Sequence, residues 1–270
     1  MTPVISWASD GEPAVSYALA DASGRMLASR DPQTVYYSAS TVKLGVMLAA
    51  VLAAERRVVA LERSVECRHV FTCRSSAGER SYGAVETFRL DPDDRDPLFP
   101  ADGARVSVAE LVEMMIRRSS NEATNVLFDL LGPEAIAEAF RLCGAERTRM
   151  QRRIGDPCAV RDGLTNETTA ADLVTIMRVI LAGEVTSRAH AEWMRHVLAG
   201  QEHRRIADVV PAGVPWGSKS GDVPRIEHDV AFVGNPGQRR FIAVCTRGYE
   251  PGPGREVIRA VAQALLAAAP

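Results

Sequence analysis

Lysine is almost missing from this chain. Of 32 basic residues only two, Lys43 and Lys219, are lysine; the remaining thirty are arginine. Arginine cannot lose its proton at workable pH, nor act as a compact point charge in a tight site. The bias towards Arg, Ala, Gly and Pro reads as GC-rich coding, under which any lysine that arginine can replace has been replaced. Either the two lysines survive by chance, or both sit where an amine is needed, and their neighbours decide. Asparagine is scarce too, with four in the chain.

Other absences exclude whole classes of function. Net charge is −2, from 32 basic and 34 acidic residues, so no strong field invites nucleic acid or an anionic membrane. No apolar run has the length of a membrane span. Met1 to Pro13 shows no basic segment followed by an apolar one, so no secretory signal is visible and a reduced, cytoplasmic protein is expected, or a secreted one if a signal has been trimmed away. Five cysteines cannot all pair; Cys67 and Cys73 could meet across a hairpin, though nothing requires it. The five histidines are scattered, none with Cys or Glu at ligand spacing, so neither metal nor cofactor is expected. What remains is ordinary: 270 residues, 46% apolar and 24% charged, enough for one large domain or two small ones with a substantial core.

Val15–Ala20 and Arg25–Ser29 flank Asp21-Ala22-Ser23-Gly24, a turn composition that predicts a hairpin. Ser40–Ala54 is apolar nearly all round, the mark of a buried helix. Residues 74–105 are polar and rich in proline and acid, which predicts a long surface excursion. Ser107 and Glu110 have capping-box spacing and open a helix through Arg118. Helices follow over Asn121–Leu131, to Leu142, over Thr169–Leu181 and over Ser187–Leu198, with Met150–Gly163 read as a loop. The tail predicts strands at Trp216–Gly221, His228–Val233 and Arg240–Arg247 and a closing helix over Arg255–Ala268. Strands at both ends of the chain can share one antiparallel sheet only if the middle helices are an insertion.

Three short patterns carry chemistry. Ser40-Thr41-Val42-Lys43 sets a hydroxyl and an amine three residues apart at the start of a buried helix. Alone this spacing is ordinarily chance, but a solvated lysine is an odd opening for a buried helix. Burial and the positive helix end both lower a lysine pKa, and a neutral Lys43 can take the Ser40 proton. Ser119-Ser120-Asn121 stands at a helix junction, where a plain N-cap is the simplest account. Lys219-Ser220-Gly221 lies on a predicted strand, where an edge lysine that blocks aggregation is the bland account. The glycine weakens it, because glycine in a strand often marks a ligand's close approach.

In this order the three patterns resemble the S-x-x-K, S-D-N and K-T-G motifs of class A β-lactamases and penicillin-binding proteins. Asn121–Asn125 (NEATN) resembles the segment after the second motif, and Asn166–Leu173 (NETTAADL) the helix start after the omega loop, so the resemblance runs over essentially the whole chain. It implies an α+β, β-lactamase/transpeptidase-like fold: an antiparallel sheet with flanking helices plus an inserted helical subdomain. Residues 1–36 and 203–270 would form the discontinuous α/β part and 37–202 the helical part. It also implies an acyl-enzyme on a small-molecule substrate, with Ser40 as nucleophile and Lys43 as base or relay. Ser119 would pass a proton to the leaving group, and Asn121 would hold the substrate amide and orient Lys43. Lys219 and Ser220 would hold a carboxylate, and the oxyanion would sit between the N–H groups of Ser40 and Asp222, the residue after Gly221.

The chain departs from the family at two places. Ser120 stands where the second motif has aspartate. More important, Met150–Leu164 contains neither the glutamate nor the asparagine that prepare the deacylating water in class A enzymes; Asp156 and Asp162 are its only carboxylates. Asp156 reads more naturally as a structural tie to an arginine than as a base. The family's N-terminal helix is absent or reduced to a turn before Gly11. The expected activity is that of a serine hydrolase on a lactam, amide or ester with weak or absent β-lactam deacylation. An esterase or acyl transferase on a small metabolite and a non-catalytic binding protein are the alternatives.

Overall fold

The computed structural model describes residues 12–74 and 86–268. The segment before Gly11 and residues 75–85 of the excursion lie outside them. In chain order the strands are β1 (Ala14–Ala20), β2 (Met26–Arg30), β3 (Tyr36–Tyr37), β4 (Ser64–Glu66), β5 (Phe71–Thr72), β6 (Thr87–Phe88), β7 (Arg105–Ser107), β8 (Arg149–Met150), β9 (Asn166–Thr168), β10 (Trp216–Val223), β11 (Ile226–Val233) and β12 (Arg240–Arg247). The helices are α1 (Lys43–Glu55), α2 (Val108–Arg117), α3 (Asn121–Leu131), α4 (Pro133–Leu142), α5 (Pro157–Arg161), α6 (Ala170–Ala182), α7 (Arg188–Ala199) and α8 (Pro251–Ala268).

The two ends of the chain meet in one five-stranded sheet of order β10-β11-β12-β1-β2, every pairing antiparallel. Because side chains alternate along a strand, the sheet presents two apolar faces. Ala231, Ile242 and Val244 pack with Ile258 and Ala262 of α8, whereas Val230, Phe232 and Ala243 join the large core of the helical block. Among the described residues no helix is long and apolar enough to cross a membrane.

At the centre of the block α1 is buried from Lys43 to Leu52, as its composition requires. Gly45 is what lets α4 close on it: a Cβ there would lie 2.2 Å from the Phe140 ring. The capping box at α2 is complete, with Glu110 N–H on Ser107 Oγ at 3.2 Å and Ser107 N–H on Glu110 Oε2 at 2.7 Å.

Four expectations are corrected. The segment from Ser40 is not one helix, because Ala39–Val42 form a 3₁₀ turn that feeds α1. The region Met150–Gly163 is not all loop: Asp156 caps α5, and Pro157 at its first position has no N–H to leave unsatisfied. The closing helix starts at Pro251, four residues early, for the same reason. Cys73 pairs with Cys158, 85 residues away, while Cys67, Cys143 and Cys245 are buried free thiols.

Candidate active site

The 3₁₀ turn decides the relation of Ser40 to Lys43. In such a turn residues i and i+3 eclipse, so the hydroxyl and the amine leave the chain on one side. The turn is fixed from outside: Ser38 N–H donates to Asn166 O at 3.0 Å and His228 Nε2 lies 2.9 Å from Tyr37 O. It begins at Ala39, whose φ is +45°, and Ser119 has φ +60°. Left-handed backbone at non-glycine residues costs on the order of 1–3 kcal/mol each, and it collects at sites that need an unusual side-chain direction.

Lys43 is 0% exposed, and its Nζ reaches three partners from the second motif. These are Ser119 O at 2.7 Å, Asn121 Oδ1 at 2.7 Å and Ser119 Oγ at 3.2 Å. Burial, then the Lys219 charge, hold its pKa well below the ordinary lysine value, against the pull of Glu122, Asp222 and Asp94. A neutral amine has two protons for the two carbonyl oxygens and keeps its lone pair for the Ser119 hydroxyl.

Lys219 approaches the same hydroxyl from the sheet. Its strand β10 is an edge strand, but the side chain is 0% exposed and no guard against aggregation. Nζ donates to Ser220 O at 2.6 Å and Ser119 Oγ at 3.0 Å. Burial brings its pKa down to about 7, with Asp229 and Asp222 opposing and Arg205 assisting. Both lysines of the chain thus meet on one serine oxygen, which can accept from Lys219 while donating to Lys43.

Gly221 brings β10 against the 3₁₀ turn. A Cβ on it would lie 2.5 Å from Ser40 N and 2.9 Å from Thr41 N, so only glycine lets the strand pass the Ser40 backbone this closely. Ser220 is buried beside it. Asp222 follows with its side chain 56% exposed and ion-paired to Arg205 at 3.2 Å.

The second motif also contains residues whose part only the fold reveals. Ser120, in place of aspartate, caps α3 by accepting from Ala123 N–H at 3.3 Å. Two residues on, Glu122 is buried and accepts Asp96 N–H at 3.1 Å, so a carboxylate is still present beside the motif. Asn121 donates to Asp94 O at 2.8 Å, tying the 91–96 segment to the site. Asn125, one helical turn along α3, takes Ile154 N–H at 2.8 Å and gives its own amide to Ile154 O at 3.0 Å. The scarcity of asparagine and the NEATN likeness drew attention to Asn125 in the sequence, but neither indicated this clamp on Ile154.

The two loop carboxylates stand apart from this convergence. Asp156 is fully buried; Oδ1 accepts from Cys158 and Ala159 N–H at 3.1 Å each and Oδ2 from Arg74 N–H at 2.8 Å, with Arg153 4.0 Å away. Asp162 is exposed at the far end of α5. Cys73, Asp156 and Cys158 are the one grouping of metal-type donors among the described residues; its sulfurs are joined and its carboxylate oxygens hold backbone N–H groups, so the set does not suit an ion.

An antiparallel sheet backed by α8, with an inserted helical block and three polar motifs where they meet, defines the β-lactamase/transpeptidase-like fold. The chain belongs to the beta-lactamase enzyme family, a family of hydrolases, whose model matches residues 4–269. No curated protein matches it. Among solved structures it is similar to a beta-lactamase from Sphaerobacter thermophilus DSM 20745, at 25% identity over 94% of this chain and 90% of that one, TM-score 0.78. It shares the fold of PBP-A at 24% identity over 95% and 89% of the chains, TM-score 0.76. An ancestral class A beta-lactamase aligns over 96% and 95% at 22% identity and TM-score 0.75.

Proposed function

We propose that the chain is a serine hydrolase that forms an acyl-enzyme at Ser40 and hydrolyses it slowly when the acyl group comes from a β-lactam. The observation that carries the reading is the meeting of buried Lys43 and Lys219 on Ser119 Oγ, at 3.2 and 3.0 Å. Ser40 Oγ attacks the carbonyl carbon while its proton passes to the lone pair of Lys43. The oxyanion is held by the N–H groups of Ser40 and Asp222. On collapse the C–N or C–O bond breaks; Ser119 gives its proton to the departing atom and regains one from Lys43. Asn121 keeps Lys43 aimed and has its second amide proton for the substrate.

Water attack on the ester needs a base of its own. Asn125 fixes the omega-loop backbone at Ile154, an apolar residue, and Asp156 spends its oxygens on backbone N–H groups. A positioned general base is worth about 10²–10⁴ in rate, so acylation outruns release. One similar fold is a single-residue mutant of PBP-A, described in an acyl-enzyme complex with penicillin-G. The same shortage favours a second reading, an esterase or acyl transferase whose small acyl groups leave faster. The Cys73–Cys158 disulfide supports work in an oxidising compartment rather than the cytoplasm.

The test is intact mass after exposure to a labelled penicillin and to a fluorophosphonate. One adduct on the wild type and none on Ser40→Ala is expected. Labelling that persists in Ser40→Ala, or a wild type inert to both, overturns the reading.

A further inference from the structure

Ser119 stands where helices ordinarily end in glycine. It follows Arg118, the C-terminal cap of α2, and its φ is +60°. A left-handed residue at this place is usually glycine, and serine holds the conformation only when its surroundings impose it. Here they act from outside the helix. Four successive carbonyls, Ile116 to Ser119, are each taken by a donor from another part of the chain. Gln201 Nε2 donates to Ile116 O at 2.9 Å and Glu202 N–H to Arg117 O at 3.0 Å. His203 Nε2 lies 3.1 Å from Arg118 O, which can only accept. The fourth carbonyl, Ser119 O, takes Lys43 Nζ at 2.7 Å.

Three of these donors belong to one tripeptide, Gln201-Glu202-His203. The last carbonyls of a helix need partners, and at a surface water can supply them. Gln201 instead brings a buried amide, 2% exposed, whose Oε1 also accepts His203 N–H at 2.9 Å. One side chain thus fixes both the helix end and the shape of the tripeptide. The same stretch is anchored on the strand of the third motif. It continues from α7, and a Cβ on Gly217, two residues before Lys219, would lie 2.9 Å from Ala199 N and from Leu198 C. Residues 198–203 therefore tie β10 to the end of α2, and Lys219 Nζ and Ser119 Oγ face each other at 3.0 Å across that tie.

We propose that Gln201 and His203 are positioning residues that aim the Ser119 hydroxyl at the departing atom of the substrate. The inference rests on the acyl-enzyme reading above. The bond from Ser40 Oγ to the carbonyl carbon forms and the bond to the leaving oxygen breaks. Ser119 gives its proton to that oxygen and regains one from Lys43, which carries the proton of Ser40. Gln201 and His203 act on this step through the backbone of residues 116–118. Once that backbone is released, Ser119 relaxes from its left-handed conformation and its Oγ moves off both lysines. Attack by Ser40 goes on, because Asn121 still holds Lys43 at 2.7 Å, but the leaving group is no longer protonated.

The experiment compares p-nitrophenyl, phenyl and trifluoroethyl esters of one acyl group, whose leaving groups rise in basicity in that order. The first departs without a proton and the last depends on one. Release of the phenol or alcohol, followed by chromatography, gives kcat/KM, which reports acylation even where the adduct is short-lived; intact mass confirms the label on Ser40. Gln201→Met keeps length and volume without the hydrogen bonds. In it the trifluoroethyl ester should slow about 10²-fold and the p-nitrophenyl ester less than about fivefold, with the phenyl ester between them. His203 is exposed, so its variants keep the fold. His203→Ala should steepen the same dependence about tenfold, and His203→Gln, whose amide N–H can replace Nε2–H, should restore it. An equal fall on all three esters is the mark of a segment that only holds the block together. That result, or a dependence unmoved in both Gln201→Met and His203→Ala, would overturn the positioning role while leaving the acyl-enzyme intact. Failure of every ester to label Ser40 would remove both readings.

Discussion

The two sides of the candidate site use polar atoms in opposite ways. Around Ser119, side-chain groups face one another: two buried amines, a hydroxyl on left-handed backbone and an amide, within 3.2 Å of their partners. In the omega loop the polar groups face the chain. Asp156 is consumed by three backbone N–H groups, Arg153 and Arg68 share Asp129, Arg152 reaches Tyr37 Oη at 3.1 Å, and Cys158 is tied to Cys73. The first region brings groups that can exchange a proton within reach of one another; the second holds a loop still. On the proposed reading this contrast divides the catalytic cycle, with carbonyl attack provided for and water activation not.

The largest effect that can break the contrast is at Lys43. Lys43→Arg should lose about 10²–10⁴ in acylation rate, as much as Lys43→Ala, because a guanidinium has no lone pair to offer at workable pH. Stopped-flow acylation of the two variants checks this. A near wild-type Arg variant would make Lys43 a structural cation, and the first region would then hold a shape like the second.

Next in size is Gly221→Ala. Its Cβ would meet backbone at 2.5 Å, not the end of a flexible side chain, so β10 or the Ala39–Val42 turn must shift. Misplacement of reacting groups by about 1 Å costs roughly 10²-fold. The expected result is acylation reduced by about that factor with the far-ultraviolet circular dichroism unchanged.

Local patterns made much of this legible in the sequence. The capping box at Ser107, the all-round apolar helix and the alternation in the last three strands each express a period or a short-range bond, and the two lysines stood out once arginine was counted. The unreadable features are those made by residues far apart. Nothing at Cys73 points 85 residues ahead to Cys158, and the nearer Cys67 drew the eye. The α5 helix depends on Asp156, whose cap is completed by Arg74 N–H from another segment. Asp94 lay in a stretch that reads only as polar surface, and its place beside Asn121 is a consequence of how the excursion folds back. The 3₁₀ turn at Ser40 escaped for a different reason: its sequence continues the apolar run, and its geometry is imposed by Asn166, His228 and the approach of β10.

A smaller effect sharpens the contrast through pH. Lys219 has a pKa lowered to about 7, so it is cationic below that value and neutral above it. A carboxylate-bearing penicillin should lose its partner as pH climbs through about 7, while an uncharged ester has no such partner to lose. The ratio of their acylation rates should fall about tenfold between roughly pH 6 and 8. Taking the ratio cancels the gain both substrates share as Lys43 loses its proton. In Lys219→Met the ratio should be flat, and a wild-type ratio that rises across this range would contradict the assignment.

The smallest expected effect on rate, and the most direct challenge to the contrast, is Asp156→Asn. As a carboxylate, Asp156 satisfies Cys158 and Ala159 N–H with one oxygen and Arg74 N–H with the other. Asparagine can keep the first pair, but its amide nitrogen then faces the Arg74 N–H as donor against donor. Losing one charge-assisted hydrogen bond in a buried place costs about 1.5–3 kcal/mol, which lowers the melting temperature without touching the Ser119 network. Acylation and the lifetime of the penicillin adduct should both stay within about threefold of wild type. The alternative makes a far larger prediction. Were Asp156 the base for water, the adduct would persist about 10²- to 10⁴-fold longer in the variant, and the omega loop would belong with the chemistry. Following adduct decay by intact mass beside a thermal melt separates the two, because one outcome moves stability and the other moves the clock.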